Sequence, residues 1–148
     1  MTVTIDFVAD EAAMLAYGQA LASQLAGTEL IFLSGDLGAG KTTLARGILR
    51  GLGHDGAVKS PTYTLIEPYD VNGIRVYHFD FYRIESPEEL EYLGLDELLD
   101  EQAIKLVEWP ERAEGRLPAP DRVIRIDRRD HGRTIEHDDC SNGEAPAA

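Results

Sequence analysis

Cysteine is nearly absent. Cys140 is the single one in 148 residues, so no intramolecular disulfide can form. That fits a reducing compartment. Cys140 lies in a polar stretch without a thiol partner and reads as incidental rather than catalytic. Long apolar runs are missing too, and nothing approaches the ~20 residues that a membrane-spanning helix needs. Met1 to Asp10 lacks a basic start followed by an apolar run, which predicts no secretory signal. These absences predict a soluble, cytoplasmic protein. Basic residues are scarce: 14 Lys and Arg stand against 27 Asp and Glu, for a net charge of −13. So acidic a surface repels a phosphate backbone, which argues against autonomous binding to DNA or RNA. Its plain consequence is solubility. His54, His78, His131 and His137 show no metal-ligand spacing and read as structural.

What is present reads as one α/β domain with a single core. Thr2 to Phe7 alternates as a half-buried strand does. Asp10 caps a helix starting near Glu11, in which Met14, Gly18, Leu21 and Leu25 form one stripe and Gly18 allows close approach. Gly27 is expected to end it. Leu30 to Leu33 is an apolar run of the kind buried on both faces of a parallel sheet. A second helix spans about Lys41 to Leu52, punctuated by Gly53.

Tyr63 to Tyr69 and Ile74 to Phe79 read as strands joined by Asn72-Gly73, a strong hairpin signal. Pro68 pushes the first of them toward an edge. Ser86-Pro87-Glu88-Glu89 opens a helix that Gly94 interrupts and Leu95 to Leu99 resumes. Ala103 to Val107 is a buried strand. After the Leu117 to Pro120 loop, Arg122 to Ile126 and Arg133 to His137 are expected to form a final hairpin. Domain boundaries are thus expected at 1–137, with 138–148 a polar tail, disordered and functionally quiet.

The chemistry concentrates in Gly35-Asp36-Leu37-Gly38-Ala39-Gly40-Lys41-Thr42, a full match to G-x-x-x-x-G-K-[ST] between a buried strand and a helix. Glycines let backbone N–H groups press toward phosphate oxygens, and the helix aims its positive end at the same anion. Lys41 reaches the β- and γ-phosphates, and the Thr42 hydroxyl ligates Mg²⁺. The nucleotide is expected across Gly35 to Thr43. The carboxylate of Asp36 is expected to point away from the phosphates. The Asn-Lys-x-Asp signature of guanine recognition is missing, because neither Asn72 nor Asn142 precedes a lysine. That favours ATP over GTP.

Two acids end apolar strands: Asp80 after Val76 to Phe79, and Glu108 after Ile104 to Val107. One is expected to hold Mg²⁺ and the other to complete the metal shell or orient the attacking water; the residues allow either assignment. Thr62, in Ser60-Pro61-Thr62-Tyr63-Thr64, is equally compatible with a γ-phosphate sensor and an ordinary loop. Trp109, the single tryptophan, is by default a core residue but follows Glu108 directly.

Four segments in this order resemble the TsaE family, the small ATPases of bacterial tRNA threonylcarbamoyladenosine biosynthesis. They are the phosphate loop, Ser60-Pro61-Thr62-Tyr63, His78-Phe79-Asp80-Phe81-Tyr82-Arg83 and Glu108-Trp109-Pro110-Glu111-Arg112. The resemblance covers about Thr2 to His137. It implies a mononucleotide-binding fold of the phosphate-loop NTPase kind, with a central mixed sheet flanked by helices. It also implies ATP and Mg²⁺ as ligands and the TsaB and TsaD proteins as partners, with tRNA met only through their complex. Lys41 and Thr42 would bind phosphate and metal, and Asp80 and Glu108 would stand at the Mg²⁺ and water. Thr62 would be the switch, Trp109 would lie near the nucleotide, and Gly132-Arg133 would belong to the hairpin on the adenine side. Two rivals are a small-molecule kinase and a non-catalytic nucleotide-binding module. No inserted arginine-bearing lid accompanies Arg46, Arg83, Arg112 or Arg116, and both strand-end acids are present.

Overall fold

Alternating and continuous apolar runs sort the strands into edge and centre. The computed structural model describes residues 2–140. Seven strands form one sheet in the order β1-β7-β6-β2-β5-β4-β3: β1 Thr2–Val8, β2 Glu29–Gly35, β3 Ile66–Val71, β4 Ile74–Asp80, β5 Ile104–Glu108, β6 Arg122–Arg129 and β7 Gly132–Asp139. The four central strands, β6, β2, β5 and β4, are mutually parallel, and the outer pairings are antiparallel. The sheet is therefore mixed, with its continuous apolar runs in the parallel centre.

Period-two alternation divides the core. Ile31, Leu33, Val76, Ile104, Leu106 and Ile124 pack with Met14, Leu21, Leu44 and Ile48 on one face. Leu30, Tyr77, Phe79 and Val107 pack with Leu90, Leu95 and Ala113 on the other. Helices α1 (Glu11–Ala22) and α2 (Lys41–Leu52) cover the first face. A 3₁₀ helix at Pro87–Leu93, α3 (Leu95–Asp100) and a 3₁₀ turn at Pro110–Ala113 cover the second. α1 and α2 meet along glycines. A Cβ on Gly18 would stand 2.7 Å from the Leu44 carbonyl oxygen, and one on Gly47 2.5 Å from that of Leu15.

Several boundaries differ from the sequence-based expectation. α1 stops at Ala22 rather than Gly27, because the Ser23 hydroxyl donates to the Ala20 carbonyl at 2.8 Å and competes with the helical pattern. The expected strand from Tyr63 starts at Ile66. Residues 61–64 are turns, closed by Leu65 N–H on the Pro61 carbonyl at 2.7 Å, with Leu65 left-handed at φ 69°. Asn72 and Gly73 both take positive φ, 51° and 82°, as a two-residue type I′ turn requires. Pro68 does lie on an edge strand.

β1 is not half-buried as its alternation suggested. It is the other edge strand, and Val3, Ile5 and Phe7 are 51, 66 and 59% exposed. β7 continues to Asp139, two residues past the expected end of the domain at His137, and Cys140 is buried. Asp138 and Asp139 are thus ordered, held by pairing with Val3 and Thr2 of β1 and with Val123 and Arg122 of β6. Arg122, itself buried, binds Glu29 at 2.6 Å and Asp139 at 3.4 Å and donates to the Gln24 carbonyl. The rest of the expected tail, 141–148, lies outside the described residues.

Candidate nucleotide site

Parallel strands end at a common edge, and here that edge collects the polar residues. β2 delivers the phosphate loop. In register with it, Glu108 ends β5 opposite Leu33, and Asp80 ends β4 opposite Glu108. Alternation turns Glu108, like Ile104 and Leu106, and Asp80, like Val76, toward the face covered by α2. α2 begins at Lys41, so Thr42 sits in its first turn, directly over the acids.

The loop backbone follows its glycines: Gly35, Gly38 and Gly40 have φ of 155°, 80° and 118°, closed to most side chains. Lys41 folds into the loop. Its ammonium donates to the carbonyl of Gly35 and, at 3.2 Å, to that of Asp36, and lies 4.1 Å from the Trp109 ring centroid. Burial pushes the Lys41 pKa down, against the pull of Glu108, Asp80, Glu111 and Asp36. The Asp36 carbonyl also accepts from Ala39 N–H.

Thr42 Oγ1 lies 2.9 and 3.2 Å from the two carboxylate oxygens of Glu108. Asp80 accepts from the Thr62 hydroxyl at 3.1 Å and the Tyr82 amide at 2.9 Å. Burial raises the Asp80 pKa; the amide opposes that, and the Glu108 charge adds to it. Thr62 is tied in turn to Ser60 at 2.8 Å. Beyond it, the Arg83 guanidinium lies 4.3 Å from the exposed Tyr63 ring.

These residues line a cavity of about 410 Å³, bounded by Leu37, Gly38, Gly40, Lys41, Thr42, Thr43, Thr62, Asp80, Tyr82, Arg83, Glu108 and Trp109. Trp109 is half-buried, packed against the core of the second face while also lining the cavity. It takes φ of 57° and leans on Tyr82 with centroids 5.0 Å apart.

A second cavity, about 390 Å³, lies behind the loop and shares Gly38, Gly40 and Thr43 with the first. Asp10, Glu11, Met14, Ala39, His131 and Arg133 also line it. Arg133 donates to the Ala39 carbonyl at 2.9 Å and Arg128 to that of Leu37 at 3.1 Å, so the β6–β7 hairpin braces the loop from outside. Arg128 carries no local motif and escapes sequence reading, and Asp10 and Met14, legible as a helix cap and part of an apolar stripe, give no sign in the sequence that they line a cavity beside the loop. His78 escaped as well: it is fully buried, and its Nε2 lies 2.6 Å from Glu108 Oε2. Counting back by two from Asp80 would have put it on the acids' face.

The donors around Thr42 are hard oxygens, as Mg²⁺ prefers. Among the described residues, no three or more His, Cys, Asp or Glu converge as a metal cage. A metal here would therefore take one or two carboxylates and complete its shell with phosphate and water, the usual state of Mg²⁺ at a phosphate loop. No helix among the described residues is long and apolar enough to cross a membrane.

Known proteins resemble this chain over most of its length. "tRNA threonylcarbamoyladenosine biosynthesis protein TsaE" of Haemophilus influenzae is 48% identical over 135 residues, 88% of this chain and 85% of that protein. The protein of the same description from Synechocystis is 43% identical over 110 residues, 72% of this chain and 69% of its own length. The crystal structure of Bacillus subtilis YdiB superposes with a TM-score of 0.80 at 32% identity, covering 95% of this chain and 88% of that one. The family profile described as "Threonylcarbamoyl adenosine biosynthesis protein TsaE" matches residues 8–135. With its profile matched across most of the chain and a relative this similar, the chain belongs to the TsaE family of tRNA threonylcarbamoyladenosine biosynthesis proteins.

Proposed function

We propose that this chain binds Mg²⁺-ATP across Gly35 to Thr43 and hydrolyses it in support of the TsaB and TsaD proteins. The observation that carries this reading is the contact of Thr42, in the first turn of the phosphate-loop helix, with Glu108, whose strand neighbour is Asp80. Thr42 and Glu108 would hold Mg²⁺, which when bound neutralises charge on the β- and γ-phosphates. Lys41 turns from its loop carbonyls to the phosphate oxygens. Asp80 orients the attacking water by accepting its hydrogen bond. Through the Thr62 hydroxyl, Asp80 also couples the state of the phosphate to the 60–64 segment, where TsaB and TsaD would sense it. The cavity behind the loop, with Arg133 at its wall, receives the base. A net charge of −13 suits a protein that reaches tRNA only through its partners.

The test is phosphate release from Mg²⁺-ATP, with the protein alone and then with purified TsaB and TsaD. Slow release that rises with the pair and disappears in Lys41→Ala supports the proposal. A rise that survives Thr62→Ala would remove the coupling role. If the pair changes nothing, a screen of acceptor metabolites tests for a kinase instead.

A further inference from the structure

His78 is a buried side chain whose hydrogen bond to an acid has no part in the proposed chemistry so far. It is fully buried in β4, and the cross-strand partner of its Cα is Leu106, two residues before Glu108. Alternation puts it on the face of Val76 and Asp80, so its ring meets the Glu108 side chain on the diagonal. Nε2 stands 2.6 Å from Glu108 Oε2, the same oxygen that lies 2.9 Å from Thr42 Oγ1. Among the described residues, Nδ1 is buried and has no hydrogen-bond partner.

A side chain needed only to fill the core would be apolar and bury no unpartnered nitrogen. This one spends its single bond on an acid. A carboxylate can only accept, so the proton of that bond sits on Nε2.

We propose that His78 is a positioning residue for Glu108: its Nε2–H fixes the carboxylate so that it faces Thr42 and the metal they would share. Among the described residues, Thr42 is the other side chain bonded to the carboxylate, and its hydroxyl would turn to the metal when nucleotide binds. His78 is then what keeps Glu108 from swinging away. Outer partners of this kind are commonly worth 10–100-fold in metal affinity. The inference rests on the reading of Glu108 as a metal ligand.

The experiment uses the full chain with Mn²⁺ as the probe, its binding in the presence of ADP followed by electron paramagnetic resonance. Wild type is compared with Glu108→Gln, His78→Leu and His78→Gln; the glutamine amide can replace Nε2–H. Expected are a loss of Mn²⁺ affinity in Glu108→Gln, a loss of roughly tenfold in His78→Leu, and recovery to near wild type in His78→Gln. ADP affinity without metal should be the same in wild type, His78→Leu and His78→Gln. In the wild-type protein, ¹⁵N NMR of the imidazole should show a protonated Nε2, a readout that needs no variant if His78→Leu does not fold.

Full Mn²⁺ affinity in His78→Leu alongside a loss in Glu108→Gln would overturn the positioning role and leave Glu108 as a ligand. So would failure of His78→Gln to rescue, an equal fall in metal-free ADP affinity, or an unprotonated Nε2. Full affinity in Glu108→Gln would overturn the metal reading of Glu108 and this inference with it.

Discussion

Asp80 and Glu108 occupy the same rung of two adjacent parallel strands and yet hold different partners. Asp80 binds the Thr62 hydroxyl and the Tyr82 amide, whereas Glu108 binds Thr42 and His78. Shared register gives them one location, and in the proposed chemistry their neighbours divide the work.

The two acids should therefore fail differently. Glu108→Gln is expected to weaken binding of nucleotide in the presence of Mg²⁺ while leaving binding in EDTA unchanged. Asp80→Asn is expected to keep Mg²⁺-nucleotide affinity within about threefold and to cut turnover by roughly 10²-fold or more, the scale of a lost general base. Calorimetry with and without metal, paired with partner-stimulated phosphate release, separates the two patterns. Identical phenotypes would contradict the division.

Trp109 should report occupancy of the site. Its ring lies 4.1 Å from the Lys41 ammonium, and it is the single tryptophan in the chain. Drawing Lys41 toward phosphate removes that cation from the ring, so intrinsic emission should change saturably with added Mg²⁺-ATP. The change should vanish in Lys41→Ala. Emission that is flat in wild type while calorimetry shows binding would mean that Lys41 keeps its place over the ring.

Arg122 closes the far end of the sheet, where it pairs with buried Glu29. Arg122→Ala leaves that carboxylate buried without its cation and should cost about 3–5 kcal/mol. Urea denaturation would register it. A loss below about 1 kcal/mol would show that Glu29 finds another partner or water.

His137 sets a pH dependence at the same place. Burial lowers its pKa from the ordinary 6.5, and the Arg122 charge lowers it further against Asp139, Asp138 and Glu29. Between the lowered value and 6.5 the unfolded chain binds a proton that the native state refuses. Stability therefore falls as pH drops through that window. In His137→Gln this share of the slope should be gone. Denaturation midpoints measured from about pH 7 down to about pH 5 would reveal an unchanged slope if the group played no part.

The phosphate loop is legible in the sequence because its chemistry is written in consecutive residues. Asp80 and Glu108 are legible because each ends a run of apolar residues. That the two acids share a rung is not, since register between β4 and β5 is set by packing across about 30 residues of chain. The turns at 61–64 hide behind β-prone Tyr63 and Thr64, whose preference loses to the Leu65–Pro61 hydrogen bond. The cavity behind the loop draws on Asp10 and Met14 at the start of α1, on the loop itself and on His131 of the last hairpin, three segments that only the fold brings together. β1 misled because alternation reports two unlike faces, and on an edge strand the apolar one can be the face left in water.

The glycine seam between α1 and α2 has a consequence for how this chain can evolve. α2 carries Lys41 and Thr42 at its first turn, and its distance from the sheet is set partly by contacts in which Gly18 and Gly47 offer no side chain at all. Adding one carbon there would lift the helix and draw Thr42 off Glu108 without touching either residue. Two positions with no chemistry of their own should thus be as closed to drift as the lysine, and a lineage could lose the site through the back of the helix while every polar residue in it stayed the same.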